Sequence, residues 1–162
     1  MKKKINIQFL IITLLAILTT VSLSIFVFYE LFKQEVMADL KTNTQLLVET
    51  DAWEQIVEKK DAGALDDGVK QLRLTLVDGT GEVILDTNAE VGSMDNHSAR
   101  PEISQALQAG EGQAIRQSST IGKNAFYYAI RLENGSVLRT AKEAGRITSV
   151  FESILPVIVI LC

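Results

Sequence analysis

The first 29 residues divide sharply into polar and apolar. Between Lys4 and Glu30 there is no charged side chain for 25 residues, Ile5 through Tyr29. At 1.5 Å per residue a helix of that length reaches about 37 Å, which crosses a hydrocarbon core of about 30 Å with some tilt. The run is longer than the apolar region of a signal peptide, and the small residues from Thr19 to Ser24 contain no A-x-A cleavage pattern, so an uncleaved transmembrane helix over 5–29 is expected. A second apolar run, Ser153 to Cys162, would cover only about 15 Å as a helix. It is read as the truncated start of a second span at 153–162, with the remainder of a longer protein expected in the cytoplasm. An apolar tail packed on the domain is the alternative.

Between the two runs the periodicity changes twice. Tyr29, Phe32, Val36, Leu40 and Leu47 recur at steps of three, four, four and seven in a stretch free of Gly and Pro, which predicts one stripe of a long helix over 30–60. Asn43 interrupts that stripe, and a lone polar residue in an apolar seam can fix the register of two helices. Phe32, Val36, Leu40, Asn43 and Leu47 are therefore candidates for a parallel homodimer seam, while packing of the same stripe on the chain's own domain is equally open. Trp53 lies off the stripe and is expected to cover the domain. The helix is expected to end at the Asp61-Ala-Gly63 and Asp66-Asp67-Gly68 clusters, which supply cap and turn chemistry.

After the clusters the pattern alternates. Leu72, Leu74 and Leu76 against Arg73, Thr75 and Val77 predict a half-buried strand, Asp78-Gly79-Thr80-Gly81 a hairpin turn, and Glu82 to Leu85 the returning strand. A polar loop from Asp86 to Ala99 leads to a short helix from Arg100-Pro101-Glu102 through Ala109, with Pro suited to the first turn, Glu102 complementing the helix dipole and Gly110 as the stop. Three strands follow, at Gln113 to Thr120, Ala125 to Leu132 and Ser136 to Ala141, and then a linker helix at 143–152. This order predicts an α+β fold, a five-stranded antiparallel sheet with helices packed against it.

Charge sets the direction of the anchor. Lys2, Lys3 and Lys4 on the short tail, residues 1–4, are expected in the cytoplasm by the positive-inside rule, which puts 30–152 on the outer side. The chain carries a net charge of −4, so the residues beyond those three lysines carry −7. An acidic domain of this kind disfavours nucleic acid as a partner. Cys162, the single cysteine, permits neither an internal disulfide nor a Cys-based metal site.

Catalytic chemistry finds little support in these residues. Asp95, His97 and Ser98 are the residue types of a hydrolase triad, yet three residues crowded into one loop are poorly placed for its geometry. One histidine with Asp86, Asp95 or Glu102 makes no defined metal spacing, and no phosphate-binding glycine motif is present. The residues left are cationic and aromatic: His97, Arg100, Arg116, Tyr127, Tyr128, Arg131 and Arg139 are candidates for holding a small anion by charge-assisted hydrogen bonds. Arg100 and Arg139 can equally pair with Asp86 or Glu102. Alternation puts Tyr127 and Arg131 on the face opposite Tyr128, so the set cannot share one pocket.

The run from Arg73 to Gly79, Gly81 to Asp86, Asn96-His97, Arg100 to Ile103, Gly110, Gly112, Arg116 to Thr120, Tyr128 and Val137 to Arg139 resembles the extracytoplasmic PAS-like sensor domain of phosphate-regulon-type sensor histidine kinases of Gram-positive bacteria. The resemblance covers roughly Leu72 to Ala141 and places a PAS/Cache-like core at 71–142. It implies the input region of a two-component receptor in a bacterial plasma membrane: a homodimer through the long helix and the spans, answering a small molecule or a protein and controlling a cytoplasmic autokinase. That kinase core is absent, so no enzyme activity and no cofactor are expected of this chain, with ATP and Mg confined to the missing part. His97 lies in an outward loop and is not expected to be a phosphoacceptor. A chemoreceptor or cyclic-dinucleotide synthase output, or a membrane-tethered structural or assembly protein, are the rival readings.

Overall fold

The structure, a computed structural model, describes residues 2–54, 72–117 and 124–143. The expected helix end at the Asp61 and Asp66 clusters, the rest of the expected linker helix beyond Glu143 and the second apolar run lie outside the described residues. The chain is α+β, with one long N-terminal helix and a five-stranded antiparallel sheet. It divides into two compact units, Met1–Val36 and Met37–Cys162.

The long helix, α1, runs Lys2–Glu49. In the first unit it is long and apolar enough to cross a membrane, and the residues of its apolar window lie unburied within the protein. Phe9, Leu10, Ile12, Leu23 and Phe26 are each more than 60% exposed. A contiguous apolar surface of this kind has no stable home in water. Its threonine hydroxyls are satisfied within the helix: Thr13 donates to the Phe9 carbonyl at 2.9 Å, Thr19 to that of Leu15 at 2.9 Å and Thr20 to that of Ala16 at 2.8 Å. Such internal pairing is what a segment in hydrocarbon requires.

The helix ends earlier than the expected 60. Asp51 takes φ 50, in the left-handed region, and the chain turns there before residues 52–54 resume a helical turn. Aspartate tolerates that conformation better than most non-glycine residues, and the Asp51 carbonyl accepts the Glu54 N–H at 3.0 Å.

In the second unit the strands are β1 (Arg73–Val77), β2 (Val83–Asp86), β3 (Glu111–Gln117), β4 (Asn124–Arg131) and β5 (Val137–Glu143), in the spatial order β2-β1-β5-β4-β3. A shorter helix, α2, spans Pro101–Ala109, and a 3₁₀ turn at Val91–Ser93 lies in the loop before it. β5 continues to Glu143, through residues expected to end the sheet. β3 begins two residues before its expected start, and its end beyond Gln117 lies outside the described residues.

The sheet is covered on both faces, which corrects the expectation of a half-buried first strand: all five residues of β1 are buried. On one face Leu47 of α1 packs with Leu74, Leu76, Leu132 and Leu138, with Trp53 against the same cluster. On the other, Ile103 and Ala106 of α2 pack with Val77, Val83, Ala129 and Val137. Strand alternation divides the sheet between these two cores.

Two glycines permit this packing. Gly81, at φ +92, closes the β1–β2 hairpin, and a Cβ there would lie 2.4 Å from the Ser98 Cβ. Asp78 Oδ1 accepts the Thr80 and Glu82 N–H groups in the same turn. The Asp86 to Ala99 loop is pinned to it: the His97 N–H donates to the Gly81 carbonyl at 2.7 Å and Asn96 Nδ2 to that of Thr80 at 3.1 Å. Gly112 lets α2 lie directly on the β3 backbone, since a Cβ there would be 2.1 Å from the Glu102 carbonyl oxygen.

Candidate functional site: a buried cationic face under the second helix

Every second residue of β1, β3, β4 and β5 faces α2, and these positions hold a cluster of charge instead of a wholly apolar layer. β1 supplies Arg73 and Thr75, β5 supplies Arg139, β3 supplies Arg116 and β4 supplies Tyr127. Asp86 arrives from the end of β2, Glu102 from the first turn of α2, and Arg100 and His97 from the residues just before it.

Arg73 holds Asp86 in a fork, with Nε 3.0 Å from each carboxylate oxygen. Thr75 donates to Asp86 Oδ2 at 2.7 Å. Glu102, fully buried, accepts from two arginines: Arg116 Nη2 at 2.7 Å and Arg139 Nη1 at 3.3 Å, both on Oε1. Glu102, expected to complement the helix dipole or to pair with Arg100 or Arg139, ties α2 to β3 and β5 through Arg116 and Arg139. Arg139, 1% exposed, also donates to Thr75 Oγ1 at 2.7 Å and lies 4.0 Å from Asp86. The Tyr127 ring meets two cations, with the Arg116 guanidinium 4.2 Å and that of Arg139 5.2 Å from its centroid, a favourable cation–π placement.

The balance of the cluster is positive, since four guanidinium groups meet two carboxylates. Burial, opposed by Glu102, pushes Arg139 down to about 10. Burial and the neighbouring Arg116 lower Arg100. Burial opposes the charge of Arg116 too, but its bond to Glu102 holds it above the ordinary value. Glu102 lies below the usual carboxylate range: burial works against its charge, and the Arg116 hydrogen bond, a backbone hydrogen bond and the charges of Arg116 and Arg139 together outweigh it. His97, 2% exposed, is pushed down to about 4 by burial and by the charges of Arg100 and Arg139, so it is neutral at neutral pH. Its Nδ1 lies 2.6 Å from the Asp95 carbonyl, which can only accept, so Nδ1 carries the proton and Nε2 the lone pair.

Two polar groups in the cluster remain without a partner. Arg139 Nε is buried with no hydrogen-bond partner. Among the described residues the Arg100 guanidinium makes no hydrogen bond or ion pair, although it lies within electrostatic reach of Arg116, Glu102, Tyr127 and Arg73.

Of the sequence candidates, His97, Arg100, Arg116, Tyr127 and Arg139 are brought together. Arg131 points to the far end of α2, where Nη1 donates to the Leu107 carbonyl at 3.1 Å. Tyr128 is on the opposite face, as alternation required. Its hydroxyl donates to Glu111, whose carboxylate accepts Lys41 at 2.8 Å, and burial with that bond pushes the phenol up to about 12. Asp86 and Glu102 enter as the expected pairing alternatives of Arg139, while Arg73 and Thr75 are the members that residue chemistry alone did not assemble; the parity of both with Val77 on β1 was the signal for them.

Of the seam candidates, Leu40 and Leu47 are buried within their own chain, and Val36 is 7% exposed. Phe32 is half-buried. Asn43 turns back on its own helix, donating to the Asp39 carbonyl and to Oδ1, both at 2.9 Å. The buried polar position of the stripe is Thr44, bonded to Thr140 of β5 at 2.6 Å.

A separate groove of about 310 Å³ lies along β2 and the loop after it, lined by Ile84, Leu85, Asp86, Thr87, Ala89, Glu90 and Val91. Its one link to the cluster is Asp86, whose carboxylate is turned inward to Arg73. Among the described residues no group of three or more His, Cys, Asp or Glu side chains is placed to hold a metal ion. Fold and site thus define a class: an α+β module with a long apolar N-terminal helix and a cationic layer inside its sheet. Compared with models of protein families and with curated proteins, the chain matches none.

Proposed function

We propose that the chain is the sensor input region of a bacterial membrane receptor, with a PAS/Cache-like outer domain controlling a cytoplasmic histidine autokinase beyond this sequence. The observation that carries the reading is the helix α1, which is apolar and unburied at residues suited to a bilayer and continues as the helix whose later residues pack on the sheet. The likeness of Leu72 to Ala141 to phosphate-regulon-type sensors supports the same assignment.

Coupling follows from how α1 meets the sheet within the second unit. Lys142 of β5 reaches Asp39 at 2.9 Å, Thr140 reaches Thr44, and Glu111 of β3 holds Lys41. A shift in β5 or β3 therefore acts on α1 through three directed bonds, and a packed helix has discrete arrangements between which a stimulus can select. In this reading the tail at 1–4 is cytoplasmic, the domain is outside, and the receptor works as a homodimer.

Single cysteines in a Cys162→Ser background test it in intact bacterial cells. A membrane-impermeant maleimide should label Asn88→Cys, which is exposed, and should label Lys3→Cys only after lysis. Labelling of Lys3→Cys alone in intact cells overturns the orientation, and equal labelling of both overturns the anchor. In the same membranes, Leu31→Cys, 59% exposed, should give a symmetric disulfide dimer, and its absence removes the homodimer from the proposal.

A further inference from the structure

We infer that the cationic layer beneath α2 is a binding site for a compact oxyanion, and that Arg100 and Arg116 form its mouth with Arg139 beneath them. This deepens the sensor reading by naming the chemical class of its stimulus.

The first argument is one of economy in buried charge. A purely structural lock between α2 and the sheet is complete with Arg116 and Arg139 on Glu102, and Arg73 on Asp86 ties β1 to β2. Arg100 adds a further cation to that layer with no hydrogen bond or ion pair among the described residues; Arg116 and Arg73 oppose its charge, and the carboxylate that favours it, Glu102, is already bonded to Arg116 and Arg139. Like charges held together at partial burial are unfavourable unless an anion joins them.

The second argument is the unbonded Nε of Arg139. Leaving a buried donor unsatisfied costs about 1–3 kcal/mol, and charged donors sit at the costly end. An acceptor oxygen reaching it removes that cost. Guanidinium groups present paired N–H donors in a plane, a match for the two-oxygen edge of a carboxylate or a phosphate.

Size follows from exposure. Arg139 is 1% exposed and the Arg116 side chain 22%, so only a small ion can meet both guanidinium groups at once. The neutral His97 adds no competing charge and presents a bare Nε2. Inorganic phosphate and small dicarboxylates share the required chemistry.

The experiment uses the full chain purified in detergent micelles. Thermal unfolding is followed by the fluorescence of Trp53, the single tryptophan, which packs on the core of the second unit. Inorganic phosphate and succinate are titrated separately against chloride at matched ionic strength. One of them should raise the midpoint saturably, by roughly 5 °C at ligand well above its dissociation constant. Which one does so distinguishes the two sources. Arg100→Gln, checked for a cooperative transition of its own, should weaken the apparent affinity at least tenfold. Arg131→Gln removes the same charge at the far end of α2 and should keep the full response.

The inference is overturned if neither anion shifts the midpoint beyond chloride, or if Arg100→Gln and Arg131→Gln respond alike. The readout needs no membrane orientation, so its failure leaves the labelling result standing, and the converse also holds.

Discussion

Replacing Glu102 by Gln keeps the shape of the side chain and removes the charge that two buried arginines share. In the folded protein Oε1 accepts Arg116 at 2.7 Å and Arg139 at 3.3 Å, and Oε2 accepts the Arg116 Nε at 3.3 Å. An amide can satisfy the first oxygen's role but turns its other end into a donor facing a donor. Arg139 then keeps only Thr75 and the 4.0 Å approach to Asp86, with its Nε already unbonded. Breaking a buried pair by removing one partner costs about 3–5 kcal/mol. Arg116 is partly exposed and can swing to solvent, which lowers the expectation to about 2–4 kcal/mol. Against a total stability of about 5–15 kcal/mol this is a large loss. At about 4–8 °C per kcal/mol for a domain near this size, the midpoint should fall by at least roughly 10 °C. The assay is urea and thermal unfolding of the purified chain followed by Trp53 fluorescence, with Glu82→Gln at an exposed hairpin position as the control. A change within about 1 kcal/mol of the control would mean that the carboxylate is not what holds α2 to β3 and β5.

Two further outcomes follow from the same region. His97 binds a proton near pH 6.5 when unfolded and near pH 4 when folded, so its contribution is complete above pH 6.5 and is lost as pH falls toward 4. At about 1.4 kcal/mol per pKa unit this is about 3–4 kcal/mol, and His97→Gln should flatten the stability profile between pH 6.5 and 4, measured by urea midpoints at each pH. Gly112→Ala places a Cβ 2.1 Å from the Glu102 carbonyl oxygen and 2.7 Å from the Gln105 Cβ. Because backbone must move, a loss of about 1–3 kcal/mol is expected, with faster hydrogen exchange in α2 and β3; an unchanged exchange pattern would show that the helix does not need that approach.

Much of the fold was legible because its signals are local. The Asp78 to Gly81 turn, the α2 boundaries at Pro101 and Gly110 and the alternation in β4 depend on residues a few positions apart, and each reappears in the structure. The break at Thr50 and Asp51 was missed because it adds neither Gly nor Pro, although Asp51 followed three positions later by Glu54 is the residue pattern of a helix start. The burial of Arg73, Thr75 and Glu102 was not legible for a different reason. The pairing of Arg139 with Glu102 or Asp86 is one of two readings that the residues leave open, but the Arg73–Asp86 and Arg116–Glu102 pairs join residues of different elements whose proximity only the fold supplies. Strand parity did separate Tyr127 from Tyr128, since a one-residue step reverses the face whatever the tertiary context. The seam residues show the limit of a periodic stripe: it marks which side of α1 is apolar without saying what covers it, and Leu47 meets the chain's own sheet.

The last strand to be made is the one in the middle. β5 pairs with β1 from Arg73 and Ala141 to Val77 and Val137, and on its other side with β4, while β1–β2 and β3–β4 are hairpins complete in themselves. A chain emerging from its N-terminus can form both hairpins early, but each has a raw edge until β5 arrives to join them. Closing so distant a pairing makes folding slow and leaves sticky intermediates exposed meanwhile. Shortening the chain before Val137 should therefore yield two unjoined halves instead of a smaller version of the module.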